Sequence, residues 1–402
     1  RWVGADASVE PSTLLAVDSA RDWEEFRAAF EGWRCPGQNA VYADTHGNIG
    51  YQLGGLYPVR RTGDGTVPVP GWTEDYEWDG WVPYDELPRA YNPEEGFLVT
   101  ANNKIHGDDY PHVISRDFLP PFRARRIAQL VTEEPHHTAD TFRRIQLDTV
   151  SLPAREMLPF LVALEPRDDR QKHALAVLAE WDGDVAAGSS AAAIYEVWCE
   201  RVARAVLRPM MDADLFTHFH GRREWTNAFQ YQVLPTLLRY PTARWFGRDG
   251  AEGRDGALRD ALDAALDELT QRFGDDIAAW RWGALHRVTF AGRLAMIPDL
   301  AEMCTAGVAE VGGDEQTVMQ GMYEPEVGYD VVVAPSWRQV IDLGDLDASM
   351  GTNTTGQSGN PASPHFNDLF DLWSTGGLHP MPFSRPSVEA AARGTLRLLP
   401  PG

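Results

Sequence analysis

Residues 39–55 read NAVYADTHGNIGYQLGG, two short apolar runs on either side of a turn-rich segment. The first run contains Val41 and Tyr42, and the second contains Ile49 and Tyr51. The intervening DTHGN is made largely of residues that favour turns. Short apolar runs around such a turn predict a β-hairpin, and therefore a fold that contains strands.

The rest of the chain changes character twice. Residues 12–33 carry apolar side chains at helical spacing, whereas residues 57–96 are dense in Pro, Gly and Trp and predict an ordered loop packed over a core. Amphipathic helical patterns then dominate up to about residue 280. Strands, then helices, then strands and loops favour an α+β fold over a parallel βαβ array. We predict segments 1–120, 121–280 and 281–402, the last completing the domain of the first.

Composition excludes several partners. The 402 residues carry a net charge of −23, and only Lys104 and Lys172 among the 36 basic residues are not Arg. Such a surface repels nucleic acid and anionic membranes. No apolar run approaches the ~20 residues of a membrane helix, so we expect no membrane insertion. Adaptation to salt and a genomic bias toward Arg codons both remain open as causes of this composition.

Common catalytic motifs are absent from the sequence. No His, Cys or carboxylate set stands at zinc spacing, so we predict no metal ligands for chemistry. The chain contains neither a GxxxxGK[ST] phosphate loop nor a GxSxG nucleophile elbow. These absences exclude P-loop nucleotide binding and the serine hydrolase elbow.

The segment FLVTANNKI at 97–105 raises the main functional question. A short apolar run predicts a strand that ends at Asn102 and Asn103. One interpretation is a turn, because Asn favours turns. The other is a carboxamide that donates to an oxyanion, helped by an Arg of the following FRARRIAQL. The residues alone favour the turn, with Arg126 in a surface ion pair.

Several segments, taken in order, carry a family resemblance. The hairpin continues as NAVYADTHGNIGYQLGGLYPVRRTGDGTVPVPGW, and residues 77–103 read EWDGWVPYDELPRAYNPEEGFLVTANN. Later segments are FRARRI at 122–127, WRWGALH at 280–286, VGGDEQTV at 311–318 and GQSGNPASPHFNDLFDLW at 356–373. Together they resemble the penicillin acylase family of N-terminal-nucleophile amidohydrolases along nearly the whole chain.

The resemblance implies a fold and a catalytic arrangement. The expected fold is α+β, part of the four-layer αββα N-terminal-nucleophile hydrolase sandwich with a helical excursion. Family members are processed so that a Ser begins the β-subunit and attacks an amide, with its own α-amine as base. By motif, Asn102 matches the family's oxyanion Asn, Asn103 its structural neighbour, and Arg126 the Arg that orients the site.

The resemblance also implies that some catalytic residues and one subunit of the enzyme lie outside this sequence. The chain begins at Arg1 and resembles the C-terminal portion of a β-subunit, so we expect the nucleophilic Ser upstream and this chain alone to be inactive. We expect the α-subunit of the same precursor as a partner. The chemistry needs no cofactor. A structural calcium is implied with most ligands upstream; Asp117 and the carbonyl near Gly65 are candidates only if the spacing contains gaps.

The expected function is hydrolysis of the N-acyl amide of a small molecule: a β-lactam, an acyl-homoserine lactone or a lipopeptide. The family resemblance implies a periplasmic or secreted enzyme made as an autoprocessed precursor. The alternative is a binding or structural homologue that has lost the nucleophile, or an inactive fragment.

Overall fold

The computed structural model describes residues 1–6, 10–220, 228–247, 250–325 and 327–399. The chain divides into two compact units, Arg1–Ala124 and Arg125–Gly402. None of the helices within the described ranges is both long and apolar enough to cross a bilayer. The finer division at residues 120 and 280 stays a prediction.

The first unit combines two helices with short antiparallel strands. Residues 12–33, which carry helical spacing, lie mostly in two helices separated by a short break. The side chain of Asp22 caps the second helix by accepting the N–H of Glu25 at 2.8 Å. β1, β2 and β5 form one sheet in that order, and β3 pairs with β4. The elements are α1 (Glu10–Asp18), α2 (Trp23–Phe30), β1 (Gln38–Ala43), β2 (Ile49–Gly54), β3 (Pro58–Arg60), β4 (Trp78–Trp81) and β5 (Arg89–Tyr91).

The hairpin predicted over residues 39–55 is confirmed, since β1 and β2 pair antiparallel. Its turn is organised around Asp44. One carboxylate oxygen accepts the backbone N–H groups of His46 and Asn48 at 2.8 and 3.0 Å. The other accepts the hydroxyl of Tyr42 at 2.9 Å. The side-chain amide of Asn48 and these further donors hold the pKa of Asp44 below its usual range.

A small core beneath β2 anchors the segment that contains the two asparagines. Val82 and Leu87, from the Pro- and Trp-rich segment, are buried together with Leu53, so that segment packs over a core, as predicted. It is not loop throughout, because it contains the short strands β3, β4 and β5. Leu98 and Ile105 pack against the same cluster from either side of TANN. The six residues between Leu98 and Ile105 are therefore held at both ends by apolar contacts.

The second unit has a helical core around one buried helix. α7 carries fully buried side chains on all its faces, and α11 packs along it through leucines at helical spacing. A π-helical segment, Ala228–Val233, precedes α9. The helices are α3 (Phe122–Glu133), α4 (Ala139–Gln146), α5 (Leu152–Val162), α6 (Asp169–Ala179), α7 (Ser190–Leu207), α8 (Ala213–His220), α9 (Leu234–Arg239), α10 (Ala243–Phe246), α11 (Gly250–Phe273), α12 (Trp282–Leu285), α13 (Phe370–Ser374) and α14 (Arg385–Ala391).

Two further sheets complete the second unit. One has the order β7-β6-β9-β8, with β6 and β9 parallel, and the other has the antiparallel order β10-β11-β12. Helices and mainly antiparallel strands in this arrangement confirm the α+β class. The strands are β6 (Arg287–Ala291), β7 (Thr305–Glu310), β8 (Met322–Tyr323), β9 (Val331–Val333), β10 (Trp337–Val340), β11 (Met350–Asn353) and β12 (His379–Pro380).

Candidate functional site

The segment before Asn102 is not the predicted strand. Residues 97–100 have no ladder partner, and residues 101–103 form a bend. The nearby sheet has the order β1-β2-β5, and the apolar run pairs with none of these three strands. Leu98 instead packs onto the small core. The strand prediction is therefore wrong, and Asn102 is presented by an extended segment held through side-chain contacts.

Asn102 adopts a left-handed backbone conformation with φ of +62°. Few residues other than Gly adopt it, and Asn is among those that tolerate it best. The N–H of Leu119 donates to the carbonyl oxygen of Asn102 at 3.0 Å, which fixes this turn against the segment before α3. The side chain of Asn102 is exposed.

The carboxamide of Asn102 is held at its oxygen. Arg123, in the first turn of α3, donates from Nη2 to Oδ1 of Asn102 at 2.9 Å. The same nitrogen donates to the carbonyl oxygen of Ala101 at 2.9 Å. A guanidinium has donors only, so it requires the oxygen of the carboxamide to face it. The Nδ2 group of Asn102 therefore points away from Arg123, and its N–H groups are directed away from the guanidinium.

Asn103 differs from Asn102 in how its carboxamide is used. Its Oδ1 accepts the backbone N–H of Ala101 at 3.1 Å, and its Nδ2 donates to the carbonyl oxygen of Lys104 at 2.9 Å. Both ends of this carboxamide thus stabilise the turn. That Asn103 is the structural neighbour of a functional Asn102 stays a prediction.

Arg126, the second predicted site residue, lies one turn further along α3, in the second unit. Its Nε and Nη2 donate to the two carboxylate oxygens of Asp148 at 3.0 and 2.7 Å. Both side chains are nearly buried, at 11% and 12% exposure. The hydrogen bonds to Asp148 raise the pKa of Arg126. Since Asp148 occupies the guanidinium fork, an orienting role for Arg126 in catalysis stays a prediction.

Arg123 is the residue that sequence reasoning missed. It belongs to the same FRARRI segment as Arg126, and the segment signalled an Arg able to hold Asn102 without saying which one. The contact spans 21 positions of chain, so local spacing carries no information about it.

A pocket of about 710 Å³ lies beside the asparagine turn, within the first unit. This volume falls within the range of small-molecule sites. Its wall combines apolar side chains with polar ones, among them Arg89, His106 and Asp109. Lys104, which also lines it, pairs with Asp108. The lining residues include Tyr51, Pro88, Leu98, Val99, Asn103 and Ile105.

The residues that were candidates for a structural calcium do not gather a donor set. Within the ranges that the structure describes, no three His, Cys, Asp or Glu side chains lie close enough to hold a metal ion. Asp117 is exposed, and its backbone N–H donates to the hydroxyl of Ser115 at 3.0 Å. Gly65 lies in a turn with φ of +83°. Calcium binding stays a prediction.

Comparison with known proteins adds to this geometry. The penicillin amidase family model matches residues 1–390. The chain is 33% identical over 406 residues to the penicillin acylase 2 proenzyme of Pseudomonas sp. (strain SE83), covering 98% of this chain and 50% of that protein. It is 30% identical over 380 residues to the acyl-homoserine lactone acylase QuiP of Pseudomonas aeruginosa, covering 87% and 45% respectively. The chain therefore spans about half the length of the curated relatives it matches.

Among solved structures, the chain resembles the thermostable penicillin G acylase from Alcaligenes faecalis. The TM-score is 0.65 at 22% identity, over 98% of this chain and 73% of that one. At this identity the likeness concerns the fold. It agrees with the predicted N-terminal-nucleophile hydrolase architecture.

Proposed function

Because the chain belongs to the penicillin amidase family, we propose that it forms the part of an amide hydrolase that supplies the side-chain oxyanion donor, Asn102. The nucleophile is a Ser at the start of a processed chain, in the portion of the relatives' length that this chain does not span. The observation that carries the proposal is the held carboxamide: Oδ1 faces Arg123, and Nδ2 is left to donate.

The proposed reaction is nucleophilic acyl transfer. The Ser hydroxyl attacks the amide carbon, its proton passes to the α-amine of the same residue, and the carbonyl oxygen becomes an oxyanion. Nδ2 of Asn102 donates to that oxygen beside a backbone N–H from outside this chain. The C–N bond then breaks, the amine leaves with the proton, and water hydrolyses the acyl-enzyme. A pre-positioned donor acts mainly in the transition state, so its loss lowers kcat.

The substrate class proposed is an N-acyl amide of a small molecule. Support comes from the named activities of the relatives, a penicillin acylase and an acyl-homoserine lactone acylase. The pocket of about 710 Å³ beside Asn103 has room for one substituent of such a compound. The acyl group and the leaving amine are to be found by screening β-lactams, acyl-homoserine lactones and lipopeptides.

Arg126 enters the proposal as a positioning residue. Its two hydrogen bonds to Asp148 fix this part of α3 to the segment before α5, and the orienting role rests on the family resemblance. The partner chain proposed is an α-subunit cut from the same precursor, and the location proposed is the periplasm or the medium. Cell fractionation of the native source tests the location.

The first experiment is made on the complete protein from its native source. Intact mass and N-terminal sequencing are measured for every chain that co-purifies. A chain that starts at Ser and contains this sequence, together with a smaller partner, supports the autoprocessed hydrolase. An inert residue in place of that Ser favours the binding protein and overturns catalysis.

The second experiment tests the site. Asn102→Ala in the complete protein removes one oxyanion donor and should lower kcat by ~10²–10³-fold. The matched control is Asn360→Ala, which removes a carboxamide from an exposed loop of the second unit and should leave kcat unchanged. Unchanged turnover in Asn102→Ala would remove this residue from the mechanism.

A further inference from the structure

The second unit contains two buried carboxyl groups that the proposed reaction does not use. Glu196 lies in α7 and is 1% exposed, and Asp314 lies in the VGGDEQTV segment, residues 311–318, and is fully buried. Burial, and then the charge of Asp314, raises the pKa of Glu196 well above its ordinary value, so the two groups lie close together. A buried carboxylate without a positive partner is unfavourable, and such a group either pairs with a cation or holds a proton.

Each of these carboxyls has one oxygen that accepts a hydrogen bond and one that does not. Oε2 of Glu196 accepts the hydroxyl of Tyr323 at 3.0 Å, and Oδ1 of Asp314 accepts the backbone N–H of Gln316. Oε1 of Glu196 and Oδ2 of Asp314 are buried and have no hydrogen-bond partner among the described residues. A carboxylate only accepts hydrogen bonds, whereas a neutral carboxyl carries one O–H group. The second oxygen of each group is therefore the position left for a proton.

The surroundings of the pair supply no positive charge to offset two carboxylates. No basic side chain acts on either carboxyl within the part of the chain that the structure describes. Burial raises the pKa of Asp314, although the hydroxyl of Ser151, just before α5, and the backbone N–H groups of Gln316 and Thr317 favour its ionised form. Geometry and charge therefore both favour a proton on each carboxyl.

The titratable groups around the pair come from four elements. Four of them are neutral acids, because burial raises the pKa of each: Tyr195 and Cys199 of α7, Tyr231 of the π-helical segment and Tyr323 of β8. The ring of His286 packs edge-on against that of Tyr323, and burial lowers its pKa to about 4. Glu200, one turn further along α7, pairs with Arg204 at 2.9 Å, and Glu315 is buried next to Asp314.

Backbone contacts on both sides of Asp314 fix the 311–318 segment to the rest of the second unit. The N–H of Gly313 donates to the carbonyl oxygen of Val185 at 2.7 Å. The N–H of Met319, just beyond the segment, donates to the carbonyl oxygen of Asp148 at 2.9 Å. A change that releases Asp314 from α7 therefore acts directly on both of these contacts.

We propose that Glu196 and Asp314 form a pair of neutral carboxylic acids that fixes the 311–318 segment against α7, and that loss of their protons to solvent at alkaline pH releases this segment. Two carboxylates side by side in a buried site repel each other, whereas two carboxyls in water are ionised at neutral pH. Rising pH therefore favours the open segment. Because the carboxylate of Asp148 pairs with Arg126, the release also weakens the support of Arg126.

The first test is the infrared spectrum of the complete, processed protein at pH 7, where a neutral carboxylic acid has a carbonyl band distinct from that of a carboxylate. Exposed carboxyls are ionised at this pH. We expect the band in the unsubstituted protein, a partial loss in Glu196→Gln and in Asp314→Asn, and a larger loss in the double variant. The matched control is Glu165→Gln, in the exposed loop after α5, and its band should be unchanged.

The second test is hydrogen exchange of the amides of the 311–318 segment between pH 6 and 9, corrected for the intrinsic exchange rate. It measures the opening constant, the ratio of open to closed segment. Each proton that opening releases raises this constant by about tenfold per pH unit, as long as the closed pair keeps its protons. We therefore expect a rise of about 100-fold per unit in the unsubstituted protein, about tenfold in each single variant, and none from this pair in the double variant. Exchange in the β1–β2 hairpin of the first unit is the reference.

Several outcomes would overturn the pair. One is an infrared band that neither single substitution reduces, or that only one of them reduces. Another is the same pH dependence of opening in all variants. A third is an opening constant that is independent of pH and falls as sodium chloride is added, because a bound cation would then replace the protons. If Asp314→Asn does not fold, Glu196→Gln decides: a weaker band and a tenfold smaller rise per pH unit support the proposal, and unchanged values refute it.

Discussion

The substitution Asn102→Asp changes one side-chain group, the NH₂ at Nδ2, and so tests oxyanion donation without altering the shape of the side chain. Asp has the shape of Asn, so Oδ1 keeps its place 2.9 Å from Nη2 of Arg123. The atom in the position of Nδ2 becomes an oxygen, which cannot donate. Losing one oxyanion donor lowers kcat by ~10²–10³-fold, about 3–4 kcal/mol of transition-state stabilisation. The new carboxylate also repels the oxyanion, so we expect a loss at or beyond the upper end of this range.

The same substitution should leave the fold intact. A hydrogen bond to a charged group contributes more than a neutral one, but Asn102 is exposed, and exposed ion pairs contribute only ~0–1 kcal/mol. Asp also tolerates the left-handed φ of +62°. We therefore expect the free energy of unfolding to stay equal to, or rise slightly above, that of the unsubstituted protein, by less than about 1 kcal/mol.

The assay measures kcat, KM and denaturant unfolding on the same preparations of the complete protein. Asn360→Asp, on an exposed loop, controls for the added charge. The expected result is near-complete loss of kcat with unchanged unfolding. Full turnover in a folded Asn102→Asp protein would refute the reasoning, because no donor would remain at the position assigned to it.

Other predictions address the second unit. Arg126→Lys removes the planar guanidinium that donates to both oxygens of Asp148, at 3.0 and 2.7 Å. Denaturant titration should show that the free energy of unfolding falls by about 1–3 kcal/mol. Wild-type kinetics in that variant would make Arg126 a structural residue only. Glu196 is buried and accepts the hydroxyl of Tyr323 at 3.0 Å, and burial raises the pKa of its carboxyl well above the ordinary 4.5. The protonated carboxyl of Glu196 contributes its full stability below pH 4.5, and this contribution is lost as pH rises toward the raised pKa. Gln does not titrate, so in thermal scans the Tm of Glu196→Gln minus that of the unsubstituted protein should increase with pH. Burial lowers the pKa of His286 to about 4, so its ring should stay neutral in an NMR titration until pH falls toward that value, and stability should be lost as pH falls from 6.5 to about 4.

Local sequence signals were sufficient where nearby residues determine the structure. The hairpin over 39–55 follows from a turn in which Asp44 bonds the backbone of the next few residues. α11 ends just before Gly274, a residue type that sequence alone associates with a helix end, and its φ is +83°. In both cases the deciding contacts lie within about five positions of chain.

Sequence signals failed where the structure depends on distant partners. The apolar run before Asn102 has the composition of a strand, but a strand also needs an edge to pair with. The sheet ends at β5, Arg89–Tyr91, and residues 97–100 form no ladder with it. The break between α1 and α2, by contrast, has a local signal, because the side chain of Asp22 caps α2 by accepting the N–H of Glu25 three residues on.

The choice between Arg123 and Arg126 was also beyond the sequence. The two arginines are three positions apart on one helix and carry the same fork of donors. Which one reaches Asn102 and which pairs with Asp148 depends on how the loop before α3 folds, through the bond from Leu119 to Asn102 among others. The family motif assigned the orienting role to Arg126, whereas in the structure Arg123 makes the hydrogen bond to the carboxamide of Asn102.

The turn and the proposed donor at Asn102 have a common physical cause. A backbone with φ of +62° is adopted readily by Gly and tolerated by Asn and Asp, while most other residues are strained there. Of these three, Gly has no side chain and an ionised Asp only accepts hydrogen bonds. A position that needs both this conformation and an N–H donor is therefore satisfied by Asn. The preference of Asn for turns, which first favoured a purely structural interpretation, is the same property that allows its carboxamide to be presented from a bend.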